Sequence, residues 1–282
     1  MRDSDGNCLA VGFFDGVHLG HRAILAGADI ALTFTRHPLS VVAPERAPRL
    51  IMSLDERLAA IRACGVLEVR ALDFTAELSA LSPEDFVARH LTAAGVSAVR
   101  CGANWRFGRG GRGDAALLRT LGFAVDVAPY VDYKGGTISS SRIRLALEAG
   151  EIADANAMLG RPFVLTGRVF RGKGEGARLG YPTVNVRVAS AGGDRVRLPR
   201  GVYAVEVSGA TGIANYGVAP TMGTRAWPDP VLEVHLLGTV PTFAVDSEVS
   251  VALTRFVRPE RHFASLEELQ RQIAADCATI SA

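Results

Sequence analysis

The pattern of apolar segments changes once along this chain, at Gly160-Arg161-Pro162. Before that point strand-like segments alternate with helical ones, and after it strand-like segments follow one another across loops that contain glycine and proline. Alternating strands and helices are typical of a parallel sheet covered by helices, whereas consecutive strands indicate an antiparallel barrel or sandwich. A chain of 282 residues has room for two domains of about 100–200 residues each. The sequence therefore predicts an α/β domain over residues 1–159 and, over residues 160–282, an antiparallel β-barrel that ends in a helix.

Individual elements can be predicted within this plan. The expected strands of the first domain cover residues 8–14, 30–35, 67–72, 97–101 and 123–131. Those of the second cover residues 163–170, 184–188, 202–207, 231–237 and 249–257. Capping boxes predict two helix starts, one at Ser53 with Glu56 and one at Ser265 with Glu268. Further helices are expected from Ser82-Pro83 onwards and from about Ser141 to Leu159, with a break at Gly150.

The charge balance argues against two classes of function. Lys and Arg number 31 and Asp and Glu number 29, a net charge of +2, which is too balanced for a dedicated nucleic-acid or membrane-surface binder. The four cysteines form no CxxC pair, and the segment MRDSDGNCLAVGFF lacks the layout of a signal peptide. We therefore expect a cytoplasmic protein with no nucleic-acid or membrane partner. The oligomeric state is left open.

The strongest motif of the first domain is GFFDGVHLGHR, residues 12–22. A strand ends in a glycine-containing turn, and a helix then begins with His18 and His21 three residues apart, which places both imidazoles on one face of the first turn. The free N–H groups and the positive end of the helix favour an anion there, and Gly20 allows a phosphate to approach closely. The alternative is a pair of exposed histidines after an ordinary turn. The whole HxGH pattern favours the phosphate site.

A second motif, ISSSRIR at residues 138–144, places three hydroxyls and two arginines where a helix begins. Hydroxyl, N–H and guanidinium donors together suit a polyphosphate. Alone, the motif is equally typical of a serine N-cap with surface arginines. Together with HLGH it resembles the Rossmann-like nucleotidyltransferases that combine an HxGH turn with a second phosphate-binding loop.

In the second domain RGKGEGARLGYPTVNV, residues 171–186, is the most informative segment. GKGEG is a weak phosphate-loop candidate, because it lacks the G-K-[ST] of a Walker A loop and leads into a strand. In the strand that follows, alternation turns Thr183 and Asn185 to one side and Val184 and Val186 to the core. A hydroxyl and an amide oxygen side by side are suitable ligands for Mg²⁺ and nucleotide phosphates.

The segment VLEVHLL, residues 231–237, carries Glu233 and His235 on one face of a predicted strand and three aliphatic side chains on the other. A carboxylate in this position is either part of a solvated face or a general base. The strand alone favours the solvated face.

Motifs along nearly the whole chain resemble those of the prokaryotic bifunctional riboflavin kinase/FMN adenylyltransferase family, whose members are also called FAD synthetases. They are GFFDGVHLGH, TFTRHP (33–38), LSPEDFVARHL (81–91), CGANWRFG (101–108), ISSSRIR, LGRPF (159–163), LGYPTVN (179–185), LPRGVYAV (198–205), ANYGVAPT (214–221), LEVHLLG (232–238) and FVRPERHFASLEELQRQIAADC (256–277). The resemblance implies an HxGH nucleotidyltransferase domain followed by a riboflavin kinase barrel. It implies phosphorylation of riboflavin by Mg-ATP and transfer of AMP from ATP to FMN, with Mg²⁺, ATP, riboflavin and FMN as cofactor and substrates.

The resemblance also implies site residues. In the first domain the phosphate ligands are His18, His21, Ser139, Ser140 and Arg142, with His21 catalytic, and Asn104 lies near the adenylate and flavin. In the second domain Thr183 and Asn185 are the Mg-ATP ligands, Glu233 is the base toward the flavin 5′-hydroxyl, and Arg258 lies near the flavin.

Two alternatives stay open at this point. In the first domain the chain departs from the family pattern in a shorter segment between HLGH and TFTRHP and at Arg36, where proline is usual. A riboflavin kinase with an impaired adenylyltransferase domain is therefore one alternative. In the second domain it departs at Ala177-Arg178 and at VPTFAVDSE, which concern the kinase. A non-catalytic protein that binds flavin or RNA is the other, and RFGRGGRGD (106–114) is its only support.

Overall fold

The computed structural model of this chain describes residues 7–172, 174–188, 195–218, 230–238 and 241–281. The chain divides into two compact units, Met1–Arg142 and Ile143–Ala282. Within the ranges just given, no helix combines the length and the apolar character that crossing a bilayer requires.

The first unit alternates strands with helices, as the sequence predicts. Its elements are β1 (Asn7–Val11), α1 (Leu19–Leu25), β2 (Ile30–Phe34), α2 (Leu39–Val42), α3 (Leu54–Arg62), β3 (Glu68–Leu72), α4 (Ala76–Ala80), α5 (Pro83–His90), β4 (Val96–Gly102), α6 (Ala115–Thr120), β5 (Ala124–Ala128), β6 (Asp132–Tyr133) and β7 (Gly136–Thr137). The division between the units falls inside the next helix, α7 (Ser140–Glu148).

Strands β1 to β5 form one parallel sheet in the order β3-β2-β1-β4-β5. Alternate side chains of β1 enter two different cores, which is why the strand is apolar from Cys8 to Val11. Leu9 and Val11 pack with Phe86 on one face, and Ala10 packs with Leu25 on the other.

The strand order reverses between β1 and β4, where Leu9 pairs with Ile30 on one side and with Val99 on the other. In open α/β sheets ligands bind beyond the carboxyl ends of the strands at such a reversal, because the two connecting loops lead away in opposite directions. The loop after β1 carries HLGH, and the turn after β4 carries Asn104. The sheet topology therefore brings these two predicted site segments to the same edge.

The second unit is a closed antiparallel barrel with helices beside it. Its elements after α7 are α8 (Ile152–Leu159), β8 (Phe163–Phe170), α9 (Glu175–Arg178), β9 (Val184–Val188), β10 (Gly201–Val207), β11 (Ala210–Val218), β12 (Pro230–Leu236), β13 (Glu248–Pro259) and α10 (Leu266–Ser281). The strands close in the order β10-β11-β12-β9-β8-β13, with β13 pairing to β10. The predicted fold class is confirmed.

The sequence prediction misses strand β11. Two glycines interrupt its apolar pattern, and glycine is depleted in strands. A Cβ built on Gly212 would overlap the carbonyl oxygen of His235, so glycine is needed where β11 crosses β12. The capping box at Ser53 and Glu56 is confirmed, with both of its hydrogen bonds formed.

Helix α8 lies before the predicted boundary at Gly160 but bonds to strands of the barrel. Asn156 donates through Nδ2 to the carbonyl of Leu253 (2.8 Å) and accepts through Oδ1 from the N–H of Phe163 (2.7 Å). The compact unit that contains the barrel begins at Ile143 and includes this helix. The domain boundary at residue 160 stays a prediction.

We expect Asn156→Ala to lower the free energy of unfolding of the barrel unit by about 1–3 kcal/mol, since a donor and an acceptor both lose their partner. Hydrogen exchange in β8 and β13, measured by mass spectrometry, should accelerate while exchange in β1 and β4 does not change. Asn156→Asp keeps the acceptor for Phe163 but places a carboxylate oxygen against the Leu253 carbonyl oxygen, so it tests the two bonds separately. Unchanged exchange in the alanine variant would contradict this role.

Candidate active sites

His18 and His21 stack at the start of α1. His18 is the N-cap residue, and its Nδ1 accepts from the N–H of His21 (3.2 Å). The two ring centroids are 3.6 Å apart with the planes 17° from parallel, and Phe14 meets His21 edge-on at 5.4 Å. The prediction that both imidazoles share one face of the first turn is confirmed.

The loop before these histidines has a strained backbone. Phe14, Gly16 and Val17 all have positive φ, at 59°, 86° and 40°, and for a β-branched residue such as Val17 this conformation is rare. The buried Asp15 carboxylate holds the loop, because it accepts from the N–H of Ile51 (3.0 Å). Strain of this kind persists only where surrounding contacts fix it, and it concentrates at functional sites.

Gly20 lies against the His18 ring. A Cβ at this position would lie 3.2 Å from ring atoms of His18, so a larger residue would require the ring to shift by a few tenths of an ångström. The approach of a phosphate to Gly20 stays a prediction.

The ISSSRIR segment meets the HLGH loop directly. Ser140 donates through Oγ to the carbonyl of Asp15 (2.9 Å), and the hydroxyl of Ser139 accepts from the N–H of Arg142 (3.3 Å). The structure thus joins the two motifs that the sequence assigns to one site.

Arg142 holds the hairpin formed by β6 and β7. Its Nη1 donates to the carbonyls of Gly136 and Thr137, and its Nη2 donates to the carbonyl of Tyr133 (3.1 Å). These contacts are structural, and the predicted role of Arg142 in phosphate binding stays a prediction.

Asn104 is exposed in the turn after β4, next to an aromatic cavity. Trp105 and Phe107 stack with centroids 4.6 Å apart and line, with Phe34 and Phe74, a cavity of about 480 Å³. An apolar cavity lined by aromatic rings suits a planar aromatic ring system. RFGRGGRGD, which the sequence suggests as an RNA-binding segment, supplies part of this lining.

Arg57 is a buried cation that the sequence analysis does not single out. It is 0% exposed, its Nη2 donates to the carbonyl of Phe34 (2.5 Å), and its guanidinium lies 3.9 Å from the centroid of Phe13. Burial lowers the pKa of Arg57 to about 10, while the Asp15 charge opposes this shift. Its position four residues before the buried Ile61, on the apolar face of α3, was the available signal.

In the barrel, three polar side chains lie side by side across adjacent strands. Glu233 on β12 pairs with Asn215 on β11 and with Asn185 on β9. Leu232 and Val234 of β12 are buried in the barrel while Glu233 is exposed, as the predicted alternation requires. Asn215 is a candidate that the sequence analysis did not name, because its strand was missed.

A cavity of about 480 Å³ opens beside this row. Thr183 lines it from the residue before β9, Asn215, Glu233 and His235 line it from β11 and β12, and Arg258 lies in its wall together with residues of α10. The structure therefore brings the predicted kinase residues Thr183, Glu233 and Arg258 to one cavity.

His235 has a fixed orientation within the cavity. Its Nδ1 lies 2.9 Å from the carbonyl oxygen of Pro182, and its ring meets Tyr181 edge-on at 5.3 Å. Because a carbonyl only accepts, Nδ1 carries the proton and Nε2 is left as an acceptor.

The glycine-rich loop after β8 lies against Asn185 and Thr183. A Cβ on Gly172 would overlap the Asn185 amide, and one on Gly176 would come within 3.1 Å of Thr183 Cγ2. The loop forms one helical turn, α9, before the next strand, so the expectation that it leads directly into a strand is wrong. Lys173 lies outside the described residues.

The two units define a class of protein, an HxGH nucleotidyltransferase fold followed by a barrel kinase. Comparison with known proteins agrees. The FAD synthetase family model matches residues 1–142, and the riboflavin kinase family model matches residues 159–282.

Relatives match over almost the whole chain. The bifunctional riboflavin kinase/FMN adenylyltransferase of Escherichia coli (strain K12) is 36% identical, over 96% of this chain and 91% of its own. The protein of that name from Pseudomonas fluorescens is 35% identical over 100% and 94%, and that from Bacillus subtilis (strain 168) is 30% identical over 95% and 89%. A crystal structure described as a macrolide-efflux protein from Streptococcus pneumoniae matches with a TM-score of 0.83 at 26% identity, covering 97% of this chain and 93% of that one.

The chain belongs to the family of bifunctional riboflavin kinases/FMN adenylyltransferases. It is an enzyme of FAD biosynthesis from riboflavin, with ATP, riboflavin and FMN as substrates.

We expect Gly172→Ala to impair FMN formation by displacing Asn185. The φ of Gly172 is an ordinary one, so the new methyl group disturbs only its neighbour. If Asn185 is a ligand as predicted, its displacement should cost on the order of 10–100-fold in rate, measured as kcat/KM for ATP in FMN formation. FAD formation from added FMN in the same variant is the control, because the FAD synthetase family model matches the other unit of the chain. Equal losses of both activities would contradict the explanation.

Proposed function

We propose that Glu233 is the base that takes the proton of the riboflavin 5′-hydroxyl while the oxygen attacks the γ-phosphorus of ATP. The observation that carries this proposal is the register Asn185–Glu233–Asn215 across β9, β12 and β11. Phosphoryl transfer requires an acceptor oxygen held in line and relieved of its proton. A carboxylate fixed by backbone pairing between two amide side chains meets both requirements.

Mg²⁺ fits the same group of residues. Thr183 and Asn185 offer a hydroxyl and an amide oxygen next to the Glu233 carboxylate, and Mg²⁺ prefers oxygen ligands shared with substrate phosphates. Thr183 and Asn185 would hold it. When bound, the ion would neutralise charge on the phosphate oxygens.

In the first unit, we assign phosphate binding to His18 and His21 together with the hydroxyls of Ser139 and Ser140. The bond from Ser140 to the Asp15 carbonyl supports one common site for them. Adenylyl transfer needs donors held in place where charge develops on the phosphate, and stacked histidines at the positive end of a helix provide them. We also propose that the aromatic cavity beside Asn104 receives the flavin ring of FMN.

We expect Glu233→Gln to lower kcat for FMN formation by ~10²–10⁴ with a much smaller change in KM, because the amide keeps the shape and loses the basicity. Steady-state assays with separation of FMN and FAD by chromatography would measure it. FAD formation from added FMN should not change.

His235→Gln is the control for this experiment, since its Nε2 is the rival acceptor in the cavity. A normal rate in Glu233→Gln together with a collapsed rate in His235→Gln would reverse the assignment.

We expect His21→Ala to remove FAD formation selectively, by ~10²–10³ in rate, because one preorganised donor to the developing phosphate charge is lost. The rate of conversion of riboflavin to FMN should stay within about twofold of that of the unchanged protein, since the candidate kinase residues lie in the other unit. Equal loss of both activities in a folded variant would show that HLGH does not serve one step alone.

A further inference from the structure

Helix α10 carries a buried carboxylate, Asp276, that faces the barrel. Asp276 is 2% exposed and accepts from Nε of Arg258 (3.0 Å to each oxygen) and from its Nη2 (2.7 Å). Gln272, one turn earlier on α10, donates to the same carboxylate at 2.9 Å. The pair is bidentate and largely shielded from solvent, with the Arg258 side chain 16% exposed, so salt screens it little.

Arg258 keeps two N–H groups for another partner. A guanidinium has five donors; two face Asp276, and a third, from Nη1, reaches the carbonyl of Pro259 (3.0 Å). One N–H on each of Nη1 and Nη2 has no partner among the residues that the structure describes. Both Arg258 and Asp276 line the cavity that contains Glu233.

The surroundings of Arg258 fix it further. Gln272 accepts from Nη1 of Arg261 (3.0 Å), and the guanidinium groups of Arg258 and Arg261 lie 5.7 and 5.6 Å from the ring centroid of Phe263. Asp276 therefore belongs to a network that joins α10 to the end of β13. Within the cavity wall its carboxylate is bonded to Arg258 and Gln272.

We propose that Asp276 is a positioning residue for riboflavin, which holds Arg258 so that the two remaining N–H groups donate to carbonyl oxygens of the flavin ring. The inference rests on the proposed kinase site. A guanidinium already fixed in the folded protein loses little freedom when the substrate binds, so the contact yields more affinity than a mobile arginine would give. The C-terminal helix thereby contributes to substrate recognition without supplying the contacting group.

A double-mutant cycle on the full chain tests the proposal, with KM for riboflavin and kcat measured in FMN formation. We expect Asp276→Asn to raise KM about tenfold with kcat within about twofold, and Arg258→Gln to raise KM at least as much. The double variant should match Arg258→Gln alone, because Asp276 acts through that arginine.

Arg255→Ala is the matched control. It removes another bond between β13 and α10, from Nη2 of Arg255 to the carbonyl of Thr279 (2.7 Å), without touching Arg258. KM for riboflavin should not change in this variant. FAD formation from added FMN should stay constant in every variant.

An increase in KM from Asp276→Asn that is undiminished in the Arg258→Gln background would overturn the proposal, because Asp276 would then support the helix only. If Arg258→Gln leaves KM for riboflavin unchanged, Arg258 does not contact the flavin and the proposal is overturned. The proposed kinase site is tested separately, by Glu233→Gln. If Asp276→Asn does not fold, Gln272→Leu replaces it in the cycle. We then expect KM for riboflavin to rise two- to threefold, and an unchanged KM would overturn the proposal.

Discussion

The backbone pairing of β9, β12 and β11 is the constraint on which the kinase site depends. Side chains alternate between the two faces of a strand, so a shift of the β12 register by one residue would bury Glu233 and expose Leu232. The free-energy cost of burying an unpaired carboxylate is far larger than the stabilisation that any single local contact provides. The aliphatic core of the barrel therefore fixes where Glu233 lies, and Asn185 and Asn215 are its neighbours for the same reason.

In the first unit the corresponding constraint is the strand order. Because the order reverses between β1 and β4, the segments after these strands meet at one edge of the sheet. Local contacts then refine the arrangement: Asp15 holds the strained loop, and Ser140 bonds to its carbonyl. The two sites thus depend on different features of the fold. The first depends on a reversal of strand order in a parallel sheet, and the second on the register of paired strands in an antiparallel barrel.

Much of this could be predicted from local sequence patterns, because those patterns reflect local physics. The strands at 163–170 and 184–188 and the capping box at Ser53 are found where predicted. Contacts between distant segments left no such pattern. The hydrogen bond from Gln270 to the carbonyl of Leu179 joins residues 91 positions apart, and no periodicity in the sequence predicts it. Strand β11 was missed because it contains glycine where it packs closely against β12, and the sequence alone does not show that the two strands are neighbours.

Arg57, which is buried, and Arg258, which is largely shielded from solvent, show why such contacts matter for function rather than stability. Burying an ion pair costs about as much as the pairing returns, so an apolar pair of similar volume is often equally stable. Arg258 is nevertheless paired with Asp276, and Arg57 is held by a carbonyl and an aromatic ring. Both cations lie on elements that build the candidate sites, Arg258 in the cavity beside Glu233 and Arg57 next to the Asp15 loop. A charge kept at this cost is explained best by the geometry it imposes on its site.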